Sequence, residues 1–335
     1  MKKFINDPDN LVDELLEGYA AAYPEYVEII DRRIVLNRAL EGQDRVAVVS
    51  IGGSGHEPAA CGFVGNGMID AFVAGEIFVA PGADAAFKAV QLADRGKGVL
   101  LIVLNHPGDL LTGERVVEMC EKQGIAIRKI ITQEDISSAP RSDAANRRGL
   151  VGCIPAYKIA GAAAAAGKNL DEVAEVTQRF VDQMATLAVG VRGATHPASG
   201  QLLVEFGEDD MEIGMGQHGE EGGGRMKLRT ADETAVIVAE PLLGDLKIKR
   251  GDQVMLIVNG MGSTTLMELF LIYRKAASYL AEKGIEIVAD SVGNLLTVQE
   301  AAGFQMFMAR MDDELTALWN APCDTAYFKV LSSVR

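Results

Sequence analysis

Three of the four histidines in this 335-residue chain, His56, His106 and His218, stand in glycine-rich loops, each behind a short apolar run; the fourth is His196. An imidazole so placed can trade hydrogen bonds with a bound hydroxyl and can attack a carbonyl carbon. Gly214-Met215-Gly216-Gln217-His218-Gly219-Glu220 surrounds His218 with residues that give it little local packing, a context suited to a nucleophile. Gly52-Gly53-Ser54-Gly55-His56-Glu57-Pro58 lets the backbone come close to a ligand, but it lacks the Lys-Ser/Thr ending of a phosphate loop and the G-x-G-x-x-G of a dinucleotide site. It is either a plain tight turn or a ligand loop, and His56 favours the second. Asn105-His106-Pro107-Gly108-Asp109 poses a similar choice: Asp109 either caps a helix beginning at Leu110 or accepts a proton from a substrate hydroxyl. Three histidines also raise a metal site, but no pair has the i, i+4 helix spacing of zinc enzymes, and no metal is assigned.

These loops need a scaffold that brings strand ends to one edge. Residues 9–23 place Leu11, Leu15, Leu16 and Tyr19 at helical spacing behind Asp7, Pro8 and Asp9, which predicts an N-terminal helix. Apolar runs at 46–51, 71–74, 99–104 and 125–131 read as strands. Between them, 84–94, with Asp84 as a candidate N-cap, and 110–123 read as helices, the pattern of βαβ units. Two further helices, 154–166 and 170–184, follow, the first alanine-rich and able to pack closely. Beyond Thr186 glycine-punctuated strands at 202–206 and 211–213 lead into the loop of His218. Then come strands at 254–258, 285–289 and 303–309 and a helix over 264–281. The fold expected is two α/β domains with mainly parallel or mixed sheets covered by helices, divided near residue 185 into 1–185 and 186–335.

A formal net charge of −15 disfavours nucleic acid and anionic membranes, since basic residues gather only in short runs such as Arg147-Arg148 and 247–250. No apolar stretch approaches the ~20 residues of a membrane span and no signal core opens the chain, so a cytoplasmic location is expected. Cys61, Cys120, Cys153 and Cys323 lie far apart without a Cys-x-x-Cys pair and read as buried reduced thiols.

With those residues in view, the chain resembles the substrate-binding subunit of dihydroxyacetone kinases. The motifs run nearly end to end: Met1-Lys2-Lys3-Phe4-Ile5-Asn6-Asp7, the segment from Gly52 to Pro58, Gly75-Glu76-Ile77-Phe78, Gly108-Asp109 and Arg147-Arg148-Gly149. They continue with Met211-Glu212-Ile213-Gly214, His218-Gly219-Glu220, Asp312-Asp313-Glu314 and Leu318-Trp319. The resemblance implies that His218 forms a hemiaminal with a short ketose and so selects carbonyl compounds over polyols such as glycerol. It implies too that His56 hydrogen-bonds the substrate, that Asp109 is the base for the hydroxyl to be phosphorylated, and that the backbone at Gly53 and Ser54 lines the pocket.

The family's nucleotide domain carries a Gly-Asp-Gly-Asp type segment for magnesium and ADP or ATP, and nothing in this chain matches it. Gly207-Glu208-Asp209-Asp210 is acidic but reads as a solvated turn. No cofactor is therefore expected on this chain; a partner subunit would hold ADP or ATP with magnesium, recharged by a phosphotransferase-system protein or exchanged for ATP. A homodimer is implied as well. Two segments depart from the family pattern. Leu104, His106 and Pro107 stand in a segment commonly Lys-Asn-Tyr-Thr-Gly-Asp, and Ala80 replaces a serine often found near the substrate. Those changes leave open a related ketose such as erythrulose, or a ketose-sensing coactivator without catalysis; retention of Asp109 favours the kinase.

Overall fold

The computed structural model describes residues 3–220 and 222–331. Among these, 3–132, 153–179 and 317–331 form one compact unit, and 133–152 and 180–316 form the other. Against the single boundary expected near residue 185, the chain passes between the units after residues 132, 152, 179 and 316.

The first unit begins with helix α1 (Leu11–Ala22), entered through a 3-10 turn that Asp7 caps by accepting the Asp9 N–H. Its strands include β1 (Val27–Ile30), β2 (Ile34–Asn37), β3 (Ala47–Ser54), the two-residue β4 (Gly65–Asn66), β5 (Ala71–Ile77), β6 (Val99–Leu104) and β7 (Ile127–Thr132). Six of them make one sheet in the order β1-β2-β5-β3-β6-β7. The pairs β5/β3, β3/β6 and β6/β7 are parallel, and β1 and β2 add an antiparallel hairpin at one edge that the sequence reading did not anticipate. Helices α2 (Ala83–Ala93) and α3 (Pro107–Gln123) complete the crossovers. Parallel strands covered on both faces should be apolar throughout. Accordingly, Ala47, Val49 and Ile51 of β3 join the core with α2 and α3, while Ser50, pointing the other way, meets helix α4 (Cys153–Ala165) through a 2.8 Å bond between its hydroxyl and Tyr157.

The alanine-rich α4 is buried from Cys153 to Ala164, and Gly161 shows how close it packs: a Cβ there would stand 2.3 Å from the Met68 carbonyl oxygen. Lys158, also buried in α4, donates to the Leu318 carbonyl at 2.7 Å, and burial lowers its ammonium to about 8. All four cysteines are buried and unbridged. Asp84 does not cap α2; Gly82 holds that position, with no side-chain bond.

The second unit is a mixed sheet. Its helices are α5 (Leu170–Val181), whose last residues enter it, α6 (Ala231–Leu246), α7 (Leu266–Glu282) and α8 (Asp313–Asn320), which leaves it. The strands β8 (Met184–Arg192), β9 (Asp210–Ile213), β10 (Gly224–Lys227), β11 (Gln253–Gly260), β12 (Glu286–Gly293) and β13 (Ala302–Arg310) lie in the order β10-β9-β8-β13-β11-β12. Only β11/β12 is parallel. Val238, Leu242 and Leu246 of α6 and Leu269, Ile272, Ala276 and Leu280 of α7 bury one face of it. Both helices start with a capping box, Thr230 with Glu233 and Thr265 with Glu268. Residues 202–206 are not a strand: Leu202 makes one isolated bridge to Thr195 and the rest is irregular. Among the described residues no helix is long and apolar enough to cross a membrane.

One buried ion pair ties the first sheet together. The Arg45 guanidinium grips Asp70 with two bonds of 2.7 Å, and Asp70 also accepts the Val48 N–H at 3.0 Å and the Asn37 amide at 3.2 Å. Its side chain has no solvent exposure. Replacing Arg45 by leucine strands that carboxylate and should cost about 3–5 kcal/mol; chemical unfolding of the Arg45→Leu variant measures it, and a loss below 1 kcal/mol (roughly the value of a surface pair) contradicts the assignment.

Candidate functional site

Because β3, β5 and β6 are parallel neighbours, the loops after them share one edge of the first sheet. That edge carries Gly53 and Ser54 at the end of β3 and His56 beyond it, Phe78 and Ala80 after β5, and His106 and Asp109 after β6. Gly53 is required by close packing, since a Cβ there would lie 2.7 Å from the Val79 nitrogen and 3.1 Å from the Phe78 Cα. The Ser54 hydroxyl donates to the Gly75 carbonyl at 2.8 Å, and the Phe78 N–H donates to the Ser54 carbonyl at 2.9 Å. These bonds splice the loop after β3 to the end of β5. Phe78 adopts a left-handed φ of 61° and sets its ring 5.2 Å from that of His56. A non-glycine residue in that region is costly and is kept where neighbours determine it. Glu57 accepts the Gly55 N–H at 2.9 Å, and burial raises its carboxyl above the usual range.

Helix α3 begins earlier than expected. His106 is its N-cap residue and Pro107 its first helical residue, so Asp109 lies in the first turn, not at the cap, and no side chain caps the helix. Proline at the first position extends the helix back by three residues because its fixed φ suits a helical start and its missing N–H is not needed there. Asp109 is buried, 8% exposed, in the turn where a helix favours negative charge. Ala80 touches this start: its Cβ would be 3.1 Å from one added to Gly108.

His218 belongs to the second unit, on the ten-residue connection of the β9–β10 hairpin, where Gly224 pairs with Ile213. The hairpin is pinned to the sheet by the Gly214 N–H on the Ala188 carbonyl at 2.6 Å. Within the loop, Gly216 N–H donates to the Glu220 carbonyl at 2.8 Å, and Gly219, at φ 88°, donates to the Gly216 carbonyl at 3.2 Å. Gln217 is buried, whereas the His218 side chain keeps 26% exposure. Glu220 folds back on its neighbour: one carboxylate oxygen accepts the His218 N–H at 2.8 Å and the other faces Nδ1 at 3.4 Å. Burial opposes ionisation of Glu220, but the hydrogen bond and charge of His218 prevail and hold it down to about 2. The acidic turn before β9 is solvated as expected, with Asp210 paired to Lys227 at 2.9 Å.

Two acids behind the loop went unnoticed in the sequence. Glu134, fully buried, accepts the N–H groups of Leu150 and Gly152 with one oxygen, each at 2.8 Å. Asp135 pairs with Arg148 at 2.8 Å. Neither shows in a local pattern, because the N–H groups that Glu134 accepts and the guanidinium that pairs with Asp135 lie more than ten residues away. Glu220 did have a signal, a carboxylate two residues beyond a histidine among glycines, but the reading gave it no role.

The Dak1 domain matches residues 17–327. The chain is 35% identical over 332 residues to the PTS-dependent dihydroxyacetone kinase 2, dihydroxyacetone-binding subunit DhaK, of Listeria innocua, covering 98% of this chain and 100% of that one. It is 34% identical to L-erythrulose kinase of Pectobacterium atrosepticum, over 98% of this chain and 56% of the relative. Among solved structures, the dihydroxyacetone kinase operon co-activator Dha-DhaQ aligns with a TM-score of 0.88 at 29% identity, covering 94% of this chain and 97% of that one. The dihydroxyacetone kinase of C. freundii aligns with a TM-score of 0.89 at 29% identity, covering all of this chain and 61% of that one.

Burial raises Glu134 from its ordinary value to about 7. In the folded chain it therefore holds a proton that the unfolded chain has released at the same pH, so its contribution to stability is present in acid and is lost as pH rises through about 7. Glu134→Gln should flatten that part of the stability profile between about pH 4.5 and 7; unfolding curves across this range check it, and an unchanged slope contradicts it.

Proposed function

The chain belongs to the Dak1 domain family, and on that premise we propose that it is the acceptor-binding subunit of a dihydroxyacetone-type kinase. It holds a short ketose covalently on His218 and presents a hydroxyl to a phosphoryl donor carried by a separate nucleotide-binding subunit. The observation that carries this reading is the grip of Glu220 on His218. An ionised carboxylate only accepts hydrogen bonds, so the nitrogen facing it must carry the proton. Nδ1–H of the neutral ring then leaves the lone pair on Nε2, the nitrogen able to add to a carbonyl carbon.

In that addition the Nε2 lone pair forms the N–C bond and the C=O π electrons move to oxygen. The oxygen takes up a proton, and the ring, transiently cationic beside Glu220, releases its Nδ1 proton to solvent. The net change is addition of N–H across the carbonyl, a hemiaminal, and a polyol offers no such carbon. His56 is assigned a hydrogen bond to a substrate hydroxyl, Gly53 and Ser54 the backbone lining beside it, and Asp109 the removal of the hydroxyl proton during transfer. Transfer itself depends on positioning and charge neutralisation, for which the partner would bring ADP or ATP with magnesium. The chain itself binds no cofactor in this reading, and it acts as a homodimer in the cytoplasm.

Ala80 favours keeping a C4 ketose in view. Its methyl group abuts Gly108 at the position where the family resemblance leads one to expect a serine, and erythrulose kinases are among the similar proteins. A ketose-sensing coactivator is the other variant, since the co-activator Dha-DhaQ shares the fold.

Intact-protein mass spectrometry with dihydroxyacetone and erythrulose should show an adduct that His218→Ala abolishes and Glu220→Gln reduces several-fold. With a supplied nucleotide-binding subunit, Asp109→Asn should keep the adduct and lose turnover by about 100-fold or more. No His218-dependent adduct with either ketose overturns the covalent reading, and an adduct without turnover in the wild type favours the sensor.

A further inference from the structure

Arg148 lies outside the loop of His218, yet its contacts converge on that loop. Its backbone is held at both ends: the N–H donates to the Ser138 hydroxyl at 3.0 Å, and the carbonyl accepts the N–H groups of Glu134 at 3.1 Å and Asp135 at 3.0 Å. Glu134 fixes the next stretch by taking the N–H groups of Leu150 and Gly152. The side chain is then aimed. Nε donates to Asp135 at 2.8 Å, and Nη2 donates to the Ser137 hydroxyl at 2.9 Å and to the Gly214 carbonyl at 3.1 Å. Nη1 stands 2.3 Å from the point where a Gly216 Cβ would be, and a Glu220 carboxylate oxygen stands equally near that point. The guanidinium thus lies against both the first residue of the loop and the turn that carries Glu220.

A loop with glycines at 214, 216, 219, 222 and 223 has much conformational freedom to lose. A planar guanidinium can hold a carboxylate and a carbonyl at fixed angles, which a lysine ammonium cannot. A guanidinium with 15% exposure needs a counter-charge, and the Asp135 side chain, with no exposure, supplies it. Burial raises the Asp135 carboxyl, and Arg148 opposes the shift.

We propose that the Asp135–Arg148 pair is a positioning device, holding residues 214–220 in the shape in which Glu220 reaches both the backbone N–H and Nδ1 of His218. The consequence for ketone addition rests on the reading of His218 as the covalent handle; the consequence for the His218 tautomer does not. Neither residue is assigned contact with substrate.

The test follows the ring nitrogens of 15N-histidine-labelled protein by NMR and, separately, ketose adduct formation by mass spectrometry. In the wild type His218 should carry its proton on Nδ1. In folded Arg148→Ala it should populate both tautomers although Glu220 is intact, and the adduct should form with about tenfold weaker affinity, the scale of one lost charge-assisted hydrogen bond. Guanidinium ion at millimolar concentration should restore both readouts in Arg148→Ala and should not change the wild type. Arg148→Lys, which keeps the charge but not the fork, should resemble Arg148→Ala and serves in its place if that variant does not fold. Wild-type tautomer and adduct affinity in folded Arg148→Lys or Arg148→Ala overturn the proposal. A tautomer that shifts in the variants while even the wild type forms no adduct supports the positioning role and sinks the covalent reading instead.

Discussion

Glu220 turns back on the residue two positions before it, one oxygen on the His218 N–H and the other toward Nδ1, and most of what the loop can do depends on that turn. The carboxylate, held down to about 2, thus stands against one ring nitrogen of His218 and not the other. The same turn explains why Gly216 has no side chain, since a Cβ would be 2.3 Å from both Glu220 and Arg148. The hairpin β9–β10 bears the loop, and the antiparallel sheet beneath it bears the hairpin.

The other residues assigned to substrate depend on a different constraint, the common direction of β3, β5 and β6. Parallel strands collect their following loops along one edge, so residues far apart in sequence, such as His56 and Asp109, reach it together. Gly53 then allows the loop after β3 to lie directly on the loop after β5, and Phe78 is locked between them in a left-handed conformation. Ala80 and Leu104 fall on this edge too.

Much of this was legible in the sequence where the signal is local. Apolar runs marked β3, β5, β6 and β7 because covered parallel strands are apolar throughout, and glycine spacing exposed the loops of His56 and His218. Helix starts were read less well: Pro107 rather than Asp109 opens α3, and Asp84 caps nothing. Helix α6 escaped notice although Thr230 and Glu233 form a capping box, because Pro241 interrupts its pattern on an exposed face. Residues 202–206 are an apolar run broken only by Glu205, as in a strand, but among the described residues they make only one bridge. The supports of the loop, Glu134, Asp135 and Arg148, were not legible as supports, because the polar groups they satisfy become neighbours only once the segment 133–152 is folded into the second unit.

The central claim is that Nε2 of His218 adds to a ketone carbon. It is tested most directly by NMR of 15N-histidine-labelled protein mixed with dihydroxyacetone carrying 13C at its carbonyl. The account predicts that the bound carbon leaves the carbonyl region and shows one-bond coupling to Nε2 of His218. A bound carbon that stays in the carbonyl region, or couples to no histidine nitrogen, contradicts it.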